Sequence, residues 1–212
     1  MDIETAKKPA IKAVLFDFSG VLAEEGYTLG LAALAQRCGM RPEDLIQQTI
    51  TVFYKSGYAN GEVSTADFWQ ALREATDIDL DDDALNEVIL SCFVIRPAML
   101  KEVDALRAAG MLTAIVSDHT DWLETLDARD DIFSHFDYIF TSYREKANKK
   151  TGELFAKSIA KLPCHVEEML FFDDTAGNIE RAALHGLQGC TFINHEQYRE
   201  DIKKFIPNLQ LA

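Results

Sequence analysis

Long apolar runs are missing from this chain, and so is any excess of positive charge. No stretch approaches the roughly 20 apolar residues that a membrane-spanning helix needs, and Met1-Asp2-Ile3-Glu4 lacks the basic-then-apolar pattern of a signal peptide. A cytoplasmic setting with no membrane partner is therefore expected. Lys and Arg total 21 against 35 Asp and Glu, a formal net charge of −14 with no basic stripe. Nucleic-acid affinity rests on clustered Lys and Arg, so no nucleic-acid partner is expected. Only four cysteines occur, Cys38, Cys92, Cys164 and Cys190, far apart and with no C-x-x-C pair; this suggests neither a zinc site nor a disulfide framework and predicts reduced, buried small hydrophobes. The five histidines, His119, His135, His165, His185 and His195, show no metal-ligand spacing, although His119 stands close to Ser117 and is the one expected nearest a substrate. There is no internal repeat and no low-complexity segment.

What is present is material for a core: 48% of the 212 residues are apolar, enough for one α/β domain with a modest insertion. Ile11 to Phe18 reads as a strand, too short and too rich in Val, Leu and Phe for an amphipathic helix, and Gly20 permits a tight turn after it. The following block reads as helical throughout. Apolar residues from Thr28 to Cys38 recur at helical spacing before Gly39, Pro42 suits the first turn of a helix reaching about Ser56, and two more helices start near Ser64 and Asp82. Asn60-Gly61-Glu62 reads as a turn. From Pro97 onward helices and strands alternate: a helix over Pro97 to Ala109, a strand over Leu112 to Val116, a short strand over Tyr138 to Phe140, a helix over Gly152 to Lys161, a strand over Met169 to Phe172, a helix over Ala176 to Leu184, a strand over Cys190 to Ile193 and a last helix from Glu196. The charged run from Arg144 to Lys150 reads as a loop.

Strands separated by helices imply parallel pairing through crossovers, with ligands at the carboxyl ends of the strands. The prediction is an α/β fold: a Rossmann-like three-layer α/β/α parallel-sheet core made of residues 1–22 and 96–212, with a small all-helical cap of residues 23–95 inserted after the first strand. Asp17, Ser117, Asp118 and the pair Asp173-Asp174 all fall at apolar strand ends. An Asp nucleophile takes a phosphoryl group only if the negative charges are neutralised, which calls for Mg²⁺ and a lysine. Oxygens from Asp17, from one carboxylate of the Asp173-Asp174 pair and from a backbone carbonyl near Ser19 would satisfy Mg²⁺. Ser117 is placed to donate to phosphate, and either Lys149 or Lys150 to supply the fixed positive charge. In the helical block, Phe53, Tyr54, Tyr58, Phe68 and Trp69 read mainly as core, with one or two lining a pocket.

The four motifs together resemble those of the haloacid dehalogenase-like hydrolase superfamily, in order and across nearly the whole chain. Asp17-Phe18-Ser19-Gly20-Val21 looks like its first motif, Ser117 its second, Lys149 its third with Lys150 in the customary proline position, and Phe171-Phe172-Asp173-Asp174-Thr175-Ala176-Gly177-Asn178-Ile179 its fourth. The branch most similar holds sugar-1-phosphate phosphatases and the phosphatase domain of soluble epoxide hydrolase. The resemblance implies a Mg²⁺-dependent phosphatase of a small phosphorylated metabolite with Asp17 as nucleophile, Lys149 as the motif lysine, Asp174 as the metal ligand beside Asp17 and the Ser19 carbonyl, and Asp173 and Asn178 supporting from behind. It also implies a cap that closes over the site and chooses the substrate.

Three departures stand out. Ser19 occupies the place of the family's acid/base Asp, whose loss typically costs about 10²- to 10⁴-fold in rate. Asp118 stands where Asn is frequent, and Lys150 where proline is. Four carboxylates against one lysine leave about −3, and Mg²⁺ only about −1, which a phosphate dianion resists; Asp118 is expected to turn away onto backbone. Leaving groups that depart without full protonation, such as an anomeric hydroxyl, an acyl group or an aryl group, suffer least from Ser19. The alternatives are a non-catalytic relative that binds Mg²⁺, a phosphorylated ligand or a partner, and a 2-haloacid dehalogenase, against which the Asp173-Asp174 pair argues. A response-regulator receiver fits less well, since its acceptor Asp follows a later strand. The sequence leaves the oligomeric state unread.

Overall fold

The computed structural model describes residues 9–211; Met1 to Glu4, on which the signal-peptide expectation rests, lie outside the described residues. Five strands, β1 (Ala13–Phe16), β2 (Leu112–Ser117), β3 (Tyr138–Thr141), β4 (Met169–Asp173) and β5 (Gln188–Thr191), form one parallel sheet in the order β3-β2-β1-β4-β5. A parallel sheet is covered on both faces, so its central strands read as unbroken apolar runs. All four residues of β1 are fully buried. Alternate side chains serve opposite layers: Val14 and Phe16 pack with Leu106, Leu123, Tyr198 and Ile202, while Ala13 and Leu15 pack with Leu154, Phe155 and Ala182. The expected three-layer α/β/α architecture follows.

Four helices, α1 (Gly26–Arg37), α2 (Pro42–Lys55), α3 (Thr65–Ala75) and α4 (Asp82–Ser91), separate β1 from α5 (Pro97–Ala108). Local chemistry sets their ends. Gly39 after α1 has φ +69°, Pro42 opens α2, Ser64 and Asp67 form a reciprocal capping box on α3, and the Asp81 side chain accepts from the Ala84 N–H at the start of α4. The remaining helices are α6 (Trp122–Asp130), α7 (Ser142–Glu145), α8 (Glu153–Lys161), α9 (Ala176–Leu184) and α10 (His195–Phe205). No helix among the described residues is long and apolar enough to cross a membrane.

The helical block is fastened to the sheet domain at several points. Tyr58 Oη and Thr65 Oγ1 donate to the two Asp121 carboxylate oxygens at 2.6 and 2.7 Å, and Arg129 donates to the carbonyls of Leu90 and Phe93 at 2.9 and 2.6 Å. Trp122, at the start of α6, stacks on Trp69 of α3 with centroids 5.4 Å apart.

Several sequence expectations shift. β1 is shorter than Ile11 to Phe18, because after Asp17 the chain turns and the N–H groups of Val21, Leu22 and Ala23 all point to the Phe18 carbonyl. Ser117 ends β2 rather than following it. Helices α6 and α7 were not expected; α6 exposes Glu124, Thr125, Ala128 and Arg129, and α7, a single turn capped by Thr141 Oγ1, overlaps the start of the Arg144 to Lys150 run. β5 begins at Gln188 instead of Cys190, an edge strand whose first residues, Gln and Gly, give no apolar signal. All four cysteines are free but only half-buried, not core residues.

Candidate functional site

β1 carries Asp17 to the carboxyl edge of the sheet, where its N–H still bonds the Phe172 carbonyl at 2.8 Å. The chain order makes this the switch point, since β2 and β3 lie on one side of β1 and β4 and β5 on the other. One Asp17 carboxylate oxygen accepts the Phe18 N–H at 2.7 Å, and the other meets Lys149 Nζ at 2.7 Å. Lys149 is 1% exposed and also donates to Asp173 Oδ2 at 2.7 Å. Asp173, fully buried, takes the Thr175 N–H at 2.8 Å and the Asn178 amide at 2.9 and 3.0 Å, so both of its oxygens are engaged. Asn178 in turn accepts from Arg181 at 2.6 Å.

Asp174 differs from its neighbour: it is exposed and lies against Gly20. A Cβ at Gly20 would come within 2.0 Å of an Asp174 carboxylate oxygen, and Gly20 has φ +80°, so both space and backbone demand glycine there. Asp17, Asp173 and Asp174 offer one carboxylate oxygen each within 4.8 Å of one another. An all-oxygen set of this kind suits a hard cation such as Mg²⁺.

Asp118 accepts the Lys149 N–H at 2.9 Å and so fixes the loop that presents the lysine, but contrary to expectation it does not turn away from the site: it still lines the cavity. Lys150 points elsewhere, its Nζ 5.4 Å from the Tyr54 ring centroid, which separates the two lysines. Ser117, 2% exposed, hydrogen-bonds towards Asp17 and favours its charged form. Ser19 lines the same cavity as Asp17 and Lys149.

Charge is unbalanced in this cluster. Burial pushes Asp17 up to about 8 against the pull of Lys149, and the Asp173 charge adds to the rise. Burial, then Asp173, likewise raises Asp174. Burial alone would discharge Lys149, but Asp17, Asp173 and Asp118 together hold its ammonium above the usual lysine range. Carboxylates crowded beyond what one lysine neutralises constitute a place for a further cation.

A cavity of about 610 Å³ opens over Asp17, its lining including the rings of Tyr27, Phe53, Tyr54, Phe93 and Trp122. Tyr58, Phe68 and Trp69 are buried in the core behind it, so two of the five aromatics singled out in the helical block line the cavity. His119 also lines it, packed between Phe18 and Phe93 with centroids 5.3 and 5.2 Å away; its Nε2 is buried without a partner and burial lowers it to about 4, keeping the ring neutral. Several site residues escaped the sequence reading, Tyr27 and Phe93 of the cavity lining among them. Arg181 stands three residues after Asn178 on α9, a spacing that places them on one face; Glu25, in the cavity wall beside Asp174, carries no signal of its own.

Solved structures similar to the chain share its fold. A HAD-family enzyme from Bacteroides thetaiotaomicron in complex with magnesium and inorganic phosphate superposes with a TM-score of 0.74 at 20% identity, covering 90% of this chain and 98% of that one. A HAD phosphatase from Thermococcus onnurineus gives 0.67 at 18% identity over 95% and 100%, and the L-2-haloacid dehalogenase from Xanthobacter autotrophicus gives 0.63 at 19% identity over 95% and 84%. No curated protein matches the chain. The sequence pattern of the haloacid dehalogenase-like hydrolases matches residues 11–186, which span β1 through the end of α9 and every motif gathered at the sheet edge, and the chain belongs to that family of hydrolases.

Proposed function

We propose that the protein is a cytoplasmic, Mg²⁺-dependent phosphatase of a small phosphorylated metabolite, acting through an aspartyl-phosphate on Asp17, with residues 1–22 and 96–212 carrying the chemistry and residues 23–95 forming the cap. The observation that carries this reading is the three-carboxylate cluster, Asp17, Asp173 and Asp174, joined to one buried lysine. The complex of the Bacteroides relative with magnesium and inorganic phosphate supports it. Bound between Asp17, Asp174 and the Ser19 carbonyl, Mg²⁺ would neutralise phosphate and nucleophile together.

The chain's own residues then divide the work. An Asp17 oxygen bonds to phosphorus as the bond to the leaving oxygen breaks, and that oxygen departs with the electron pair. Lys149, aimed by Asp173 and by the Asp118 contact to its N–H, keeps positive charge beside Asp17 and the phosphoryl group. Ser117 donates to a phosphoryl oxygen. Water adds to the aspartyl-phosphate, Asp17 returns as carboxylate, inorganic phosphate leaves, and the protons of water pass to phosphate and solvent. Ser19 offers no carboxyl to either step, so turnover favours leaving groups that need no proton.

Hydrolysis of p-nitrophenyl phosphate with and without Mg²⁺, in the native protein and in Asp17→Asn, tests this. Mg²⁺-dependent turnover lost in the variant is expected. Turnover that survives Asp17→Asn, or that ignores Mg²⁺, overturns it. Halide release from a 2-haloacid without phosphate release would establish the dehalogenase reading, which Ser19 alone favours; Mg²⁺ binding with neither reaction would establish a non-catalytic relative.

A further inference from the structure

We infer that the substrate is the phosphate monoester of a phenol-type alcohol bearing no second anionic group, its ring seated against Tyr27, Phe53, Tyr54 and Phe93. This rests on the phosphatase reading and adds the class of leaving group. Three separate observations converge on it.

The first is the shape and material of the cavity. Its lining joins Asp17 to four rings contributed by α1, α2 and the segment after α4, with Trp122 of α6 beside them. Tyr27 and Phe53 meet with centroids 5.4 Å apart at 50°, forming a corner. Neither is fully covered, and Tyr54 is 48% exposed. A third ring placed there completes edge-to-face or offset contacts at the usual separations of about 4.5–7 Å. A sugar leaving group carries a hydroxyl on nearly every carbon, each needing a partner once buried, whereas the four rings offer only the Tyr27 and Tyr54 hydroxyls between them.

The second is charge. Lys149 is engaged by Asp17 and Asp173, and no other Lys or Arg among the described residues lines the cavity. Lys150 sits over the Tyr54 ring and Arg181 on Asn178, both outside the lining. Glu25 and Asp118 do line it. A second phosphate or carboxylate would meet two carboxylates and no available cation.

The third is Ser19. Without a carboxyl at this position the leaving oxygen departs unprotonated, and a phenoxide does so far more readily than an alkoxide. As the Asp17 oxygen bonds to phosphorus, the phenoxide leaves with the electrons of the broken bond and takes its proton from solvent.

Steady-state kinetics with Mg²⁺ on four phosphates, acetyl phosphate, 4-carbamoylphenyl phosphate, 4-carboxyphenyl phosphate and glucose 1-phosphate, decides the matter. The carbamoylphenyl ester is expected to exceed both the carboxyphenyl ester and the sugar phosphate in kcat/KM by about tenfold or more. Tyr54→Leu, at a half-exposed position where folding is not at risk, and Phe53→Leu are expected to lower the ratio of aryl to acetyl phosphate kcat/KM about three- to tenfold, through KM. Glu25→Gln is expected to narrow the gap between the carboxyphenyl and carbamoylphenyl esters. Acetyl phosphate does not engage the rings and reports on the phosphatase reading alone. If it is hydrolysed by the native protein and not by Asp17→Asn while the aryl esters show no advantage, or if Tyr54→Leu leaves the ratio unchanged, the aryl class is overturned and the phosphatase stands. If no phosphate is hydrolysed, both fall.

Discussion

At the scale of single residues, the consequences of the site concentrate on position 19. Ser19 lines the cavity beside Asp17, so a carboxyl placed there stands at the reacting group. Ser19→Asp is expected to raise turnover of alkyl phosphates, which need a proton on the leaving oxygen, by about 10²- to 10⁴-fold, and to change p-nitrophenyl phosphate turnover far less. Equal acceleration of both substrates, or none, measured as kcat on matched esters, would remove Ser19 as the explanation of leaving-group preference. The strand-end residues were the most legible part of the site, because a carboxylate directly after a buried apolar strand has few structural reasons to be there. Choosing between Lys149 and Lys150 was harder, since adjacent residues in a loop give no periodicity; in the fold it is Lys149 that lies buried between Asp17 and Asp173. Arg181 and Glu25 went unread because each is an ordinary charged residue until the fold brings it to Asn178 or to the cavity wall.

At the scale of elements, β1 and the four helices that follow were legible from apolar spacing and end signals such as Gly39, Pro42 and Ser64. Helix α6 was not, because its apolar residues, Trp122, Leu123 and Leu126, cluster towards its first half. Yet α6 is where the helical block is held. Asp121, just before it, receives both Tyr58 and Thr65, bonds between residues some 60 positions apart that no local pattern announces. Asp121→Ala is expected to cost about 1–3 kcal/mol of stability, read as a lower Tm. It is also expected to speed amide hydrogen exchange over Tyr58–Asn60 and the first turn of α3 while β1 and β4 stay protected. Uniform loss of protection across the sheet would mean that Asp121 supports the whole fold rather than the docking of this block.

At the scale of the whole molecule, the net charge of −14 and the cluster at the sheet edge act in the same direction. A chain this acidic repels itself, and the burial that raises Asp17 and Asp174 marks a place where a divalent cation relieves the strain most. Binding to the folded state alone stabilises it by mass action: with Mg²⁺ at about 100 times its Kd the gain is about 2.7 kcal/mol. For a chain of this size that corresponds to a Tm rise of about 5–10 °C. Asp174→Asn removes a ligand and a repulsive charge at once, so the variant in EDTA is expected to melt at or above the native Tm and to lose most of the Mg²⁺ shift. Sodium chloride at matched ionic strength separates the two effects, because screening of the general acidic surface raises both proteins alike, whereas a site-bound ion stabilises only the chain that keeps its carboxylates. Retention of the full Mg²⁺ shift in Asp174→Asn would move the cation away from this cluster, and the phosphatase reading would lose the observation on which it stands.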